Sequence, residues 1–274
     1  MSTINCRGRL LDLSQPKVMA IVNLTPDSFY SESRCPSVGD ALRRVDVALS
    51  QGADIIDFGA CSTRPGAQVV DAHEEWRRLE PILVAARRKY PDAVISIDTF
   101  RSQIAEQSVS EGADIINDIS AGAIDDKMFS TVGRLQVPYV LMHMRGTPAT
   151  MQQFATYGNV TAEVMSELSL QLRRLTDCGV HDVIIDPGFG FAKTLEQNYE
   201  LFAHLSDFAV FDKPLLVGIS RKSMIYNLLK IKPEDSLNAT TALNMMALQA
   251  GASILRVHDV AEALQVVKIH KALK

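Results

Sequence analysis

The chain has 274 residues, a formal net charge of −4, 47% hydrophobic residues and 6% aromatic ones. That balance provides no broad basic field, so it excludes a nucleic-acid partner and leaves any anion to a local cluster of positive groups. The N-terminal residues lack the apolar core of a signal peptide, and no apolar run is long enough to cross a bilayer. Cys6, Cys35, Cys61 and Cys178 fall in no CxxC pair or zinc spacing, so free thiols in a reducing cytoplasm are expected.

In chain order, eight short β-branched runs occupy 18–24, 54–60, 94–100, 114–120, 138–143, 182–188, 214–220 and 254–259. Helix-period segments lie between them. Val38, Ala41, Leu42, Val45 and Leu49 share one face. Residues 71–90 read as a helix that Pro81 kinks or splits. Ser102 is placed to cap a helix carrying Ala105 and Val109, and Val164, Leu168, Leu172 and Leu175 mark another. Two helices fit at about 222–230 and 239–250, and Val260, Leu264 and Val267 mark a last one. The phrase Gly-Ala-Asp-Ile-Ile occurs at 52–56 and again at 112–116, with looser copies at 179–185 and 251–255. Its glycine stops a helix in the left-handed conformation, and its Ile run starts the next buried strand. This alternation predicts a single (β/α)8 TIM barrel, one domain over 1–274. Long Gly/Pro/Ser-rich connections follow strands 1, 2 and 5, at 25–37, 61–70 and 144–159. All three lie over the same mouth and read as mobile functional lids.

Several of the runs close in a polar residue, which marks the C-terminal edge of a buried parallel sheet as the place of chemistry. Asp98, Asn117 and Asp186 close strands 3, 4 and 6. Two carboxylates and an amide suit a flat amino-heterocycle with several N–H donors; they could also cap helices or bond neighbouring strands. Ser220-Arg221-Lys222 and Arg256-Val257-His258 close the last two strands, where barrels commonly bind phosphate, and Arg221 and Arg256 each bring a planar fork. Asn23, with Asp27 nearby, is either a turn former or an oxygen ligand for Mg²⁺ bridged to a substrate diphosphate. Ser62-Thr63-Arg64-Pro65-Gly66 fits a phosphate-contacting loop or an ordinary turn. The two aromatics of Asp186-Pro187-Gly188-Phe189-Gly190-Phe191 could wall a pocket. His143 is expected to bond backbone within the barrel, and Trp76 and the methionines to pack.

Taken together, Asn23-Leu24-Thr25-Pro26-Asp27-Ser28-Phe29, Ser62-Thr63-Arg64-Pro65-Gly66-Ala67, Ile97-Asp98-Thr99, Ile116-Asn117-Asp118, Leu141-Met142-His143-Met144, Asp186–Phe191, Ser220-Arg221-Lys222-Ser223 and Arg256-Val257-His258-Asp259 occur in one order and spacing. Over about 15–270 the chain resembles the dihydropteroate synthase family. The resemblance implies a Mg²⁺-assisted condensation of 6-hydroxymethyl-7,8-dihydropterin diphosphate with p-aminobenzoate, in a cytoplasmic homodimer. It places pterin binding on Asp98, Asn117, Met142, Asp186 and Lys222. Diphosphate binding falls to Asn23, Thr63, Arg64, Arg256 and His258, with Asn23 as the metal ligand. The p-aminobenzoate pocket falls to Phe29, Thr63, Pro65, Phe191, Ser220 and Lys222, and the chemistry to Asp98, Lys222, Asp27 and Arg64.

Both early loops depart from the family pattern. The first commonly continues Ser-Asp-Gly-Gly after the Phe and here reads Tyr30-Ser31-Glu32-Ser33. The second commonly reads Gly-Gly-Glu before Ser-Thr-Arg and here reads Gly59-Ala60-Cys61. Altered loops around an unaltered pocket also fit a non-catalytic pterin-binding paralogue. A methyltransferase-type pterin domain would share the barrel, but would not call for the diphosphate-directed residues Thr63, Arg64, Arg256 and His258.

Overall fold

A hairpin that the apolar pattern does not mark precedes the barrel. Strands β1 (Thr3–Cys6) and β2 (Arg9–Asp12) pair antiparallel, with Thr3 opposite Asp12 and Cys6 opposite Arg9. The computed structural model describes residues 3–25, 37–61 and 70–273. All eight predicted strands are present: β3 (Lys17–Asn23), β4 (Ile55–Gly59), β5 (Val94–Asp98), β6 (Ile115–Asp118), β7 (Tyr139–Met142), β8 (Val183–Asp186), β9 (Leu216–Val217) and β10 (Ile254–Val257). They form one parallel sheet in the order β8-β7-β6-β5-β4-β3-β10-β9. A parallel bridge between Ile185 and Leu215, with the Ile185 N–H donating to the Pro214 carbonyl at 2.9 Å, brings the two ends together into a barrel.

The helices are α1 (Val38–Ser50), α2 (Ala72–Lys89), α3 (Ser102–Ser110), α4 (Met128–Leu135), α5 (Val160–Asp177), α6 (Leu195–Ala203), α7 (Ser223–Leu229), α8 (Leu237–Gln249) and α9 (Val260–Ala272). Outward-facing strand residues such as Val18, Ala20, Val22, Ile56 and Phe58 pack with Ala41, Val45, Leu79 and Leu83 of α1 and α2 in the larger core. The alternate residues face inward. Met19, Ile55, Ile115, Val140, Ile184, Leu216 and Ile254 form an apolar floor, and Ile4, Cys6 and Leu13 of the hairpin region close it from below. The hairpin is fastened by Asn5 N–H to Asp182 Oδ2 at 2.8 Å, Arg7 Nη1 to Gly112 O at 2.9 Å and Arg9 Nη1 to Asp92 O at 2.9 Å.

Three local expectations are corrected. Pro81 lies inside α2 and does not split it, since one helix runs from Ala72 to Lys89. Pro81 and Arg77 are both exposed, so the Arg77 carbonyl that loses its helix partner can be hydrated instead. Ser102 begins α3 without a side-chain cap. The capping role passes to Asp125, whose Oδ2 accepts from the Ser102 N–H at 2.7 Å. The connection at 144–159 is not structureless: it contains a 3-10 turn, Met151–Phe154, and buries Met151. Arg145 ties it down, donating to Thr156 O and Glu163 and stacking over Tyr157 at 4.0 Å.

Candidate active site

Period-two alternation carries the polar strand ends to the inside of one mouth. Asn23, Gly59, Asp98 and Asn117 fall in register across β3, β4, β5 and β6, and Met142 pairs with Asp186 across β7 and β8. Register neighbours in a parallel sheet share a face, so their side chains converge. Asn23, Asp98, Asn117, Met142 and Asp186 line a cavity of about 270 Å³ with Ile21, Ile119, Phe189, Phe191, Ser220, Lys222, Arg256 and His258. The expected residues Asn23, Asp98, Asn117, Met142, Asp186, Phe191, Ser220, Lys222, Arg256 and His258 are therefore gathered in one place. Asp27, Phe29, Thr63, Arg64 and Pro65 lie outside the described residues, as do Ser31 and Glu32.

Asp186 is 5% exposed. Its Oδ1 accepts from the Gly188 N–H at 2.8 Å, and Oδ2 accepts from none of the described residues. Burial raises its pKa, against the pull of Lys222. Gly188 is required for this turn: at φ +72 a Cβ would lie 2.0 Å from the His143 carbonyl oxygen. Asn117, 3% exposed, donates its amide to Asp57 Oδ2 at 3.1 Å. Asp98 Oδ2 accepts from Arg256 Nη2 at 2.7 Å. Burial pushes the Asp98 carboxyl up to about 7, although Arg256 pulls the other way. Lys222 Nζ donates to Phe189 O at 2.6 Å and sits 4.9 Å from the Phe191 ring centroid. Burial pulls its ammonium down to about 8.

The anion-directed groups are arranged differently from one another. Arg256 reaches inward, Nε to Asp57 Oδ2 and Nη2 to Asp98 Oδ2, both at 2.7 Å. Arg221, which its strand-end position marked for phosphate, gives its fork to Asp259 at 2.8 and 2.7 Å. That bidentate pair locks the β9 end to the β10 end. Ser220 Oγ accepts from the His258 backbone N–H at 3.2 Å and lies 3.1 Å from His258 Nδ1. Burial and then Arg256 draw the His258 pKa down to about 4, so its ring is neutral near pH 7.

A hard cation such as Mg²⁺ takes oxygen donors and keeps several positions for water and substrate phosphate. Asn23 supplies one neutral oxygen at the mouth, beside Gly59, which adds no side chain there. This fits a cation delivered with a diphosphate better than a protein-only cage, and among the described residues no group of three His, Cys, Asp or Glu side chains could hold one.

Two residues of the site carry no mark in the sequence pattern as first read. Asp57 is fully buried in the middle of β4; its signal is a carboxylate with the same inward parity as Ile55. Lys193 is 4% exposed and donates to Gly188 O at 2.9 Å and Phe191 O at 3.0 Å, and it lies 3.1 Å from His143 Nδ1. His143 Nε2 is in turn 2.9 Å from Glu167 Oε2. The expectation that His143 bonds backbone is thus corrected: it links Lys193 to α5, beneath the ordered connection at 144–159. Cys61, one of the departures from the family pattern, is a buried thiol lining the cavity beside Phe100, Ile119 and Met142.

A family model described as pterin binding enzyme matches residues 19–258. The dihydropteroate synthase of Escherichia coli strain K12 is 40% identical over 272 residues, covering 97% of this chain and 94% of that protein. The chain belongs to the dihydropteroate synthase family of pterin-binding enzymes. The dihydropteroate synthase of Synechocystis is likewise 40% identical, over 93% of this chain and 89% of that one. The Yersinia pestis dihydropteroate synthase solved with a sulfonamide drug superposes with a TM-score of 0.94 at 37% identity, covering 99% of this chain and 98% of that chain. The Xanthomonas albilineans enzyme solved with 4-aminobenzoic acid gives 0.91 at 36% identity, again over 99% and 98%. No helix among the described residues is long and apolar enough to cross a membrane.

Proposed function

We propose that the protein joins 6-hydroxymethyl-7,8-dihydropterin diphosphate to p-aminobenzoate, releasing pyrophosphate and 7,8-dihydropteroate. The observation that carries this reading is the floor of the cavity. An open carboxylate oxygen on Asp186 and the Asn117 amide face a slot walled by Ile21, Ile119, Met142 and Phe189. A flat, donor-rich bicycle matches it: apolar faces meet apolar side chains, and ring N–H and NH2 groups meet fixed acceptors.

In this reaction the C–O bond to diphosphate breaks with its electron pair leaving on pyrophosphate, and the arylamine nitrogen forms the new C–N bond and loses a proton. The methylene carbon becomes cationic as the C–O bond lengthens, and the pterin ring shares that charge. Asp98 and Asp186, fixed before the reaction, stabilise it electrostatically. Lys222, held by the Phe189 carbonyl, binds the polar edge of the ring. His258 and Arg256 receive the leaving group, and Phe191 with Ser220 bound the aminobenzoate side. Asn23 would hold Mg²⁺ together with the diphosphate oxygens, where the metal would neutralise charge on the leaving group. Asp27, Phe29, Thr63, Arg64 and Pro65 are assigned by family resemblance to the same outer half of the site. Two carboxylates, an amide and a lysine around an apolar slot support this reading over a sugar-phosphate enzyme.

Incubation of purified protein with the pterin diphosphate, p-aminobenzoate and Mg²⁺ tests the proposal by pyrophosphate release. Pterin binding without release would favour a non-catalytic paralogue, the reading that the altered residues Ser31, Ala60 and Cys61 would support. We further propose a homodimer formed through α7–α9, where Leu228, Leu229, Met246 and Ile269 are exposed apolar side chains; light scattering on the eluting species checks it. A cytoplasmic setting accords with Cys6, Cys61 and Cys178 all being thiols.

A further inference from the structure

Asp57 is 0% exposed. It sits in β4 in register with Ile21 of β3 and Ser96 of β5, one layer below the mouth. Its Oδ2 accepts from Arg256 Nε at 2.7 Å and from Asn117 Nδ2 at 3.1 Å, while Oδ1 is buried with no hydrogen-bond partner among the described residues. Asn117 and Arg256 both line the cavity, and Asp57 does not. An ionised carboxylate taken wholly out of water is costly unless paired, and an apolar side chain would fill an inward position without that cost. Its placement therefore calls for an effect on the two neighbours it touches.

The decisive neighbour is the asparagine. The two ends of an amide have nearly the same shape, so shape alone does not fix which end faces a ligand. An ionised carboxylate only accepts, so it selects the NH2 end. With Nδ2 turned to Asp57, Oδ1 is the end left for the cavity. The atom of a ligand facing it must then carry a hydrogen; a bare ring nitrogen there would set lone pair against lone pair.

We propose that Asp57 is a positioning residue for the condensation: its one bonded oxygen turns Asn117 so that the amide carbonyl is presented to the pterin, and pins the Arg256 guanidinium beside Asp98. This role rests on the pterin reading of the cavity. Asp57 touches no substrate and acts through Asn117 and Arg256.

The test is a double-mutant cycle on the full chain. Calorimetry measures the affinity for 6-hydroxymethyl-7,8-dihydropterin of the wild type, Asp57→Ala, Asn117→Ala and the double variant, with each first shown folded by circular dichroism. Asp57→Ala is expected to weaken binding by about tenfold, the size of one misdirected buried hydrogen bond, and to cost much less once Asn117 is absent. Asp57→Asn keeps an oxygen for Arg256 and should restore part of the loss. If the Ala variant does not fold, Asp57→Asn takes its place in the cycle, with a smaller loss confined to the background that retains Asn117. Wild-type affinity in a folded Asp57 variant, or equal losses with and without Asn117, would overturn the role while leaving the function standing. A wild-type protein that does not bind the pterin would overturn the functional reading and this role with it.

Discussion

Replacing Asp186 by Asn changes one atom at the floor of the cavity and reverses its hydrogen-bonding sense. In the folded protein Oδ1 accepts the Gly188 N–H at 2.8 Å, so the new amide keeps its oxygen there and puts its NH2 where Oδ2 faced the slot. A pterin N–H that met a carboxylate oxygen then meets another donor. A hydrogen bond to a charged group contributes about 1.5–3 kcal/mol, and its loss converts to about 12- to 150-fold in affinity. The donor left facing a donor pushes the result toward the upper end. Titration calorimetry with 6-hydroxymethyl-7,8-dihydropterin reads this directly, and a thermal melt confirms that the fold is kept. A dissociation constant within a factor of about two of the wild type, in folded protein, would refute the placement of Asp186 against the pterin's donor edge.

Three other outcomes follow from the same geometry. The kcat/KM profile should be bell-shaped: Asp98 acts ionised and is pushed up to about 7 by burial, so activity is lost as pH falls through that value. Lys222 acts as an ammonium and is pulled down to about 8, so activity is lost again as pH rises through it. A profile flat from pH 6 to 9 would contradict both assignments. His258→Ala should weaken the pterin diphosphate by at least about 1 kcal/mol while leaving the pterin alcohol unchanged in a competition assay, since His258 lines the diphosphate side of the cavity. Arg256→Ala should cost about 3–5 kcal/mol in urea unfolding, because it strips the charged partner from Asp57 and from Asp98 together.

Most of the barrel is legible in the sequence because a buried parallel strand has few ways to be written: Ile254-Leu255-Arg256-Val257 and Val94-Ile95-Ser96-Ile97-Asp98 alternate apolar residues with a late polar one, and a capping glycine precedes several of the runs. The site residues at strand ends were legible for the same reason. Asp57 was harder to read because it interrupts the run from within, where a carboxylate looks like a tolerated exception until Asn117 and Arg256 are seen to meet it. Lys193 follows an aromatic-glycine turn, and nothing local distinguishes a solvated lysine from one whose ammonium holds two carbonyls and a histidine. Arg221 shows the opposite failure. Its position was right for an anion, but among the described residues its guanidinium fork goes to Asp259, which lies 38 residues away and belongs to the next strand end. The hairpin at Thr3–Asp12 escaped notice because its strands are four residues each, the first half exposed and the second with no buried residue.

That hairpin has a consequence for how the barrel is assembled. Its anchors reach across 83, 105 and 177 residues of chain, to Asp92, Gly112 and Asp182. The hairpin is thus synthesised long before the last of its moorings exists, and until Asp182 emerges the lid beneath Met19, Ile55 and Ile115 lacks that anchor. Contacts of such range slow folding, and a half-built cylinder with a wet underside is adhesive toward other chains. The vulnerable moment in the life of this protein is therefore spent at the end farthest from its chemistry.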